Sequence, residues 1–272
     1  MATAAARPGV GQAGLGGPAS GVGVLPGAGV GAPGVPGAYG AAGAYGARRP
    51  GTYYQGNTAL VAQRNTVVAG ASAYPAISPA MYAAYAGAWQ PTNLAAPSLY
   101  ANPGYGAVAA MVGSAPQPVP YDYGSNVVAQ PAGVYVNGDP AGSPQQYADQ
   151  AGQIASAGAA EPDPNAQWQP LGVFAMSTAD QAQPNDLFQL AVNKQGLVRG
   201  NYHNVQTNET TPVAGSVDPK TQRVAWTIGG DKLPVYEAGL ANLTQDQTTM
   251  LVHAPDGQQS QFTLVRLPDP QQ

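Results

Sequence analysis

The chain has 272 residues, a formal net charge of −4, 9 % charged residues and no cysteine. The absence of cysteine excludes disulfides, thiol catalysis and cysteine metal sites. Cations never cluster beyond Arg48-Arg49, so nucleic-acid binding, which needs grouped Lys and Arg to neutralise phosphates, is not expected.

Tyrosine and glycine divide the chain: thirteen of its fifteen Tyr and most of its 36 Gly precede Glu161. Residues 1–52 read as a disordered low-complexity arm. Gly and Pro dominate there, and neither offers the side-chain area that would offset the entropy of ordering. The run Gly21-Val22-Gly23-Val24-Leu25-Pro26-Gly27 resembles elastin over about thirty residues, a likeness of composition. Met1 to Gly9 has no apolar run and does not read as a secretory signal. The longest apolar candidate, Ala69 to Trp89, is broken by Pro75 and Pro79 and falls short of a transmembrane helix.

Residues 53–70 resemble 121–138: Tyr53-Tyr54-Gln55-Gly56 parallels Tyr121-Asp122-Tyr123-Gly124, and Thr66-Val67-Val68-Ala69-Gly70 parallels Val134-Tyr135-Val136-Asn137-Gly138. Each copy is expected to form a small hairpin, the first a degenerate one. Between them, 71–120 reads as an Ala/Pro/Tyr-rich linker, with Tyr82, Tyr85 and Trp89 at helical spacing. Residues 121–160 are expected to hold a hairpin and then a helix over about 144–157. Ser143 is its N-cap, Pro144 its first residue and Gly158 its stop, with Tyr147, Ala151, Ile154 and Ala155 on one face.

From Trp168 the pattern becomes period two. Eight strands are predicted: Leu171–Met176, Leu187–Asn193, Leu197–His203, Thr211–Val217, Arg223–Ile228, Val235–Asn242, Thr249–His253 and Ser260–Leu267. Turn residues separate them, among them Asn193-Lys194-Gln195-Gly196, Asp218-Pro219-Lys220-Thr221, Gly229-Gly230-Asp231-Lys232 and Pro255-Asp256-Gly257. The fold class is therefore all-β: an antiparallel eight-stranded meander barrel, or a sandwich, over 161–272. That segment is expected to fold alone. Trp226 is expected in its core, Trp168 at one end, and Arg223 on the surface, where substitution would cost little.

No catalytic, cofactor-binding or metal-binding residue is assigned, and no cofactor. His203 and His253 read as polar strand-end residues, although either could pair with a carboxylate such as Asp218. Asp218 and Asp256 read as turn formers. Asn208-Glu209-Thr210 and Asn242-Leu243-Thr244 fit glycosylation acceptors only in a eukaryotic secretory route.

The order Phe188-x-Leu190-x-Val192, Gly200-x-Tyr202, Val213-x-Gly215-x-Val217 and Trp226-x-Ile228 resembles avidin-type and other calycin meander barrels. Longer strings are similar to a C-terminal domain of uncharacterised, mostly exported planctomycete proteins, some labelled putative cell-surface proteins. They include Trp168-Gln169-Pro170-Leu171-Gly172-Val173-Phe174-Ala175, Val217-Asp218-Pro219-Lys220-Thr221-Gln222-Arg223-Val224-Ala225-Trp226-Thr227-Ile228 and Tyr121-Asp122-Tyr123-Gly124. That similarity covers about 121–268. It implies an extracellular or cell-envelope location and no established activity, although the chain as given lacks that family's signal segment. The expected function is a non-enzymatic structural or interaction protein with a protein or matrix partner, or self-association. A small-ligand-binding barrel is the alternative.

Overall fold

The computed structural model describes residues 64–71, 74–75, 77–90, 99–130, 132–178, 181 and 183–270. All belong to one compact unit. The arm at 1–52 and the first part of the degenerate repeat lie outside the described residues.

Eight strands close into a barrel: β4 (Trp168–Ser177), β5 (Asp186–Asn193), β6 (Leu197–Asn204), β7 (Glu209–Asp218), β8 (Arg223–Ile228), β9 (Val235–Gly239), β10 (Gln247–His253) and β11 (Gln259–Arg266). Each pairs antiparallel with the next, and β11 returns to β4 through Thr263↔Ser177 to Arg266↔Phe174. The barrel therefore has no free edge. All eight predicted strands are present. The sixth stops at Gly239 rather than Asn242, because Asn242–Thr244 turns into a short 3-10 segment.

The inward residues fill the barrel. Trp226 is fully buried, stacked on Tyr236 at 6.2 Å and edge-on to Phe188 at 5.8 Å. Such pairs add to the area they bury. Gly215 faces Trp226 across the β7–β8 ladder, and a Cβ there would lie 2.6 Å from the Trp226 side chain. One end is closed by α2 (Tyr105–Val112), whose Val108 and Val112 join the interior cluster. Arg266 sits at the same end. Its guanidinium donates to the carbonyls of Leu171 (2.7 Å) and Leu243 (2.8 Å) and lies over the Phe174 ring. Burial lowers its pKa to about 10. At the other end Asp186 accepts from the Tyr202 hydroxyl at 2.5 Å and from Asn204. Burial raises its pKa, against those two hydrogen bonds.

The outer wall is covered as well. Before the barrel come α1 (Pro79–Tyr82), α2, a three-stranded sheet of β1 (Val127–Gln130), β2 (Gly133–Val136) and β3 (Asp139–Gly142), and α3 (Pro144–Ala157). Ser143 caps α3 in a reciprocal capping box with Gln146. Tyr147, Ala151 and Ala155 face inward as predicted. Gly158 has an ordinary right-handed φ of −67°, so its role is not a left-handed stop. A Cβ there would lie 2.3 Å from the Gly215 backbone; the residue lets the chain pass close over β7.

Three expectations change. Residues 64–69 are helical, where the repeat predicts a strand. The later copy enters its strand through Gly133 at φ +143°, and the earlier copy has Asn65 at the matching place. The segment 71–120, expected as a linker, packs on the barrel in its described parts. Ile77, Tyr82 and Leu99 cluster with Val173, Ala175, Leu187 and Val265. Trp168 does not close an end; it lies with Ala191 and Leu197, and Trp89 packs edge-on against it at 5.2 Å.

Candidate functional site: a groove above a buried Glu237 network

Amide side chains on the barrel grip the backbone of the covering segment. Asn201 Oδ1 accepts from Trp89 N and its Nδ2 donates to Trp89 O, at 2.8 and 2.9 Å. Asn242 does the same to Tyr121, at 3.0 and 2.7 Å. Gln222 accepts from Val119 N and donates to Gln117 O. Each amide turns its oxygen and one N–H to the covering backbone, as a strand would. Asn242 is therefore buried and engaged, and cannot serve as a glycan acceptor. Asn208 accepts from the Tyr85 hydroxyl at an exposed turn.

Beneath α3 lies a charged cluster. Glu237 on β9 is fully buried. Arg223 on β8 donates to both its oxygens, at 2.8 and 3.0 Å. The hydroxyls of Tyr123 and Tyr147 donate to Oε1, at 3.0 and 2.9 Å. His253 Nε2 on β10 lies 2.7 Å from Oε2. Burial alone would raise the Glu237 pKa, but Arg223 and His253 override it and hold the group at about 2. Burial likewise opposes the Arg223 charge, and Glu237 more than restores it. Arg223 also donates to Gln150 Oε1 and Tyr147 O, and stacks 3.8 Å over the Tyr147 ring. The expectation of an exposed, cheaply replaced Arg223 is therefore wrong. Period two placed it on the outer face correctly, but that face is covered by α3 and the Tyr121–Tyr123 segment.

His253 pairs with Glu237, not Asp218. His203 Nδ1 meets Thr210 Oγ1 at 2.9 Å, and burial lowers its pKa. Asp218 and Asp256 are turn formers: Asp218 accepts from Lys220 N and Thr221 Oγ1, and Asp256 from Gln258 N. Among the described residues no group of three or more His, Cys, Asp or Glu could hold a metal ion. No described helix is long and apolar enough to cross a membrane.

A groove of about 870 Å³ runs beside the network. One wall is the polar face of α3, with Gln145, Asp149 and Gln153 in one row and Ala148, Gly152 and Ser156 in the next. The opposite wall is the β8–β9 connection at Lys232, Leu233 and Val235, and the β10–β11 turn from His253 to Gly257. His253 joins groove and network. Its Nδ1 is buried and has no hydrogen-bond partner. Nε2 is engaged by the ionised Glu237, which leaves Nδ1 as the ring's unengaged polar atom. The arrangement leaves one ring nitrogen for a hydrogen bond with a bound group. Sequence reasoning missed the groove because its α3 residues look like any solvated helix face. The weak signal was the run of small residues at 148, 152 and 156, spaced to leave room.

Compared with protein-family models, curated proteins and solved structures, the chain matches none.

Proposed function

We propose that the protein is a non-enzymatic structural or interaction protein of the cell envelope or extracellular space. The wrapped barrel docks onto a partner or matrix, and the Gly/Pro/Tyr-rich N-terminal stretch acts as spacer or self-association segment. The observation that carries this reading is the filled interior. A barrel that carries a small molecule keeps a cavity with a few polar groups. Here the inward positions hold Phe174, Phe188, Trp226, Tyr236, Met250 and Phe262, and α2 packs into one end. That weighs against the small-ligand carrier and leaves the outer surface for recognition. The Glu237–His253 pair does not favour an enzyme, because Arg223, Tyr123 and Tyr147 already engage the carboxylate. The similarity to exported planctomycete proteins supports the location.

Cosedimentation tests it. Full-length protein should pellet with insoluble envelope or matrix material from the producing cells, and deletion of residues 1–63 should reduce self-association while leaving pelleting by the barrel unit. A stoichiometric small organic molecule released from purified protein on denaturation would overturn the reading.

A further inference from the structure

We propose that the groove between α3 and the β8–β9 and β10–β11 connections binds a neutral, hydroxyl-rich ligand: a linear oligosaccharide, read by Asp149, Gln153, Lys232, His253 and Asp256. The inference rests on the reading of the protein as a docking module and names what the module grips.

The first observation is His253. It is 2 % exposed, its Nε2 is taken by Glu237, and its Nδ1 lacks any partner. A buried polar nitrogen without a partner is costly, and a ligand hydroxyl, which can donate or accept, would supply the missing bond. Structural reasons place most of the network: Arg223, Tyr123 and Tyr147 all join cover to barrel. None of them requires the free nitrogen of a histidine that also lines a groove.

The second observation is the mixture of groups on the walls. Asp149 and Asp256 accept, Lys232 donates, and Gln153 and Ser156 do both. A cation entering here meets Lys232, and an anion meets the two carboxylates. A sugar hydroxyl is donor and acceptor at once and satisfies either kind of group. Leu233, the exposed large hydrophobic residue of the described chain, and Pro255 line the groove and offer apolar surface to the C–H face of a sugar ring. Ala148 and Gly152 keep the α3 wall low. The volume lies within the range of about 300–1,000 Å³ that holds a drug-sized ligand. A peptide strand is disfavoured because β9 and β10 are both paired in the closed barrel and offer no edge.

The test is titration of ¹⁵N-labelled full-length protein with cellohexaose, maltohexaose and chitohexaose, with tetralysine and inorganic phosphate as controls. At least one oligosaccharide should shift amides at 145–156, 232–235 and 253–257, together with the His253 ring nitrogens. Asp149→Ala and Lys232→Ala, both on exposed residues, should each weaken that binding about fivefold or more, without changing the melting temperature. Absence of shifts with all three oligosaccharides, or shifts that survive both substitutions, would overturn the proposal. Binding of tetralysine or phosphate instead would overturn the sugar assignment while leaving the docking-module reading in place. Loss of envelope or matrix cosedimentation with sugar binding intact would do the reverse.

Discussion

The inside of the barrel and its outer wall are both buried, but by different means. Inside, Phe188, Trp226 and Tyr236 interlock as apolar shapes, and Gly215 lets β7 lie close against the backbone and Cβ of Trp226. Outside, small apolar clusters are joined by directional groups: the amides of Asn201, Gln222 and Asn242 on backbone, and Glu237 at the centre of four donating side chains. Apolar packing tolerates many arrangements of similar volume. A ladder of amide clamps fixes which residue of an irregular segment lies over which strand. A meander needs no such help, because its neighbours in sequence are neighbours in space. The clamps fall on the stretches of the cover that lie between its helices and small sheet, at Trp89, Gln117, Val119 and Tyr121, and supply their register.

The largest expected effect comes from removing one side of this comparison. A fragment of residues 161–272 leaves Val173, Ala175, Leu187, Ala225, Leu251 and Val265 without their cover, and the Glu237 cluster without Tyr123 and Tyr147. Against the expectation from sequence, it should lose its cooperative melt, whereas residues 64–270 should keep it; circular dichroism on heating decides between them. Glu237→Ala comes next. It leaves the Arg223 charge buried and unpaired, a change that typically costs about 3–5 kcal/mol. Trp226→Ala tests the interior and should cost about 3–5 kcal/mol through lost contacts and a cavity. Denaturant titration of both variants measures the two walls on one scale.

Acid separates the two sides more gently. The folded pKa of Glu237, about 2, lies below its ordinary 4.5, so the stability it contributes is complete above about pH 4.5 and is lost as pH falls towards 2. His203, whose folded pKa is lowered by burial, also favours unfolding as pH drops below about 6.5. Asp186 and Asp122, raised by burial, bind protons more readily when folded and oppose the trend. The Glu237 charge sits among Arg223, His253, Tyr123 and Tyr147, so its share of the acid loss, the part between about pH 4.5 and 2, should disappear in Glu237→Gln, read by midpoint against pH. The smallest effect belongs to the groove rim, where Asp149→Ala should change stability by no more than about 0.5 kcal/mol.

Much of the fold was legible. Alternation at Phe188, Leu190 and Val192 and turn chemistry at Asn193 and Asp218 located the strands, and Ser143 with Pro144 located α3. Alternation tells which residues share a face, not what lies over that face. Arg223 was misjudged for that reason. The near-continuous apolar runs Leu171–Met176 and Leu264–Leu267 carried the warning, since a strand with one wet face alternates more strictly. The tyrosines before Glu161 were the other signal. Tyr82 is a buried anchor within a stretch that reads as a linker, and Tyr121, Tyr123 and Tyr147 anchor the hairpin-and-helix segment that follows. The groove left almost no trace, because its partners converge from α3 and two turns far apart in sequence.

Native-state amide hydrogen exchange tests the central claim, that cover and barrel form one cooperative body. Slow amides of α3 and of the β1–β2 hairpin should exchange with the same free energy and denaturant dependence as those of β5 and β8, all through global unfolding. A separate, low-energy opening of residues 121–157 that leaves β5 and β8 protected would contradict the account.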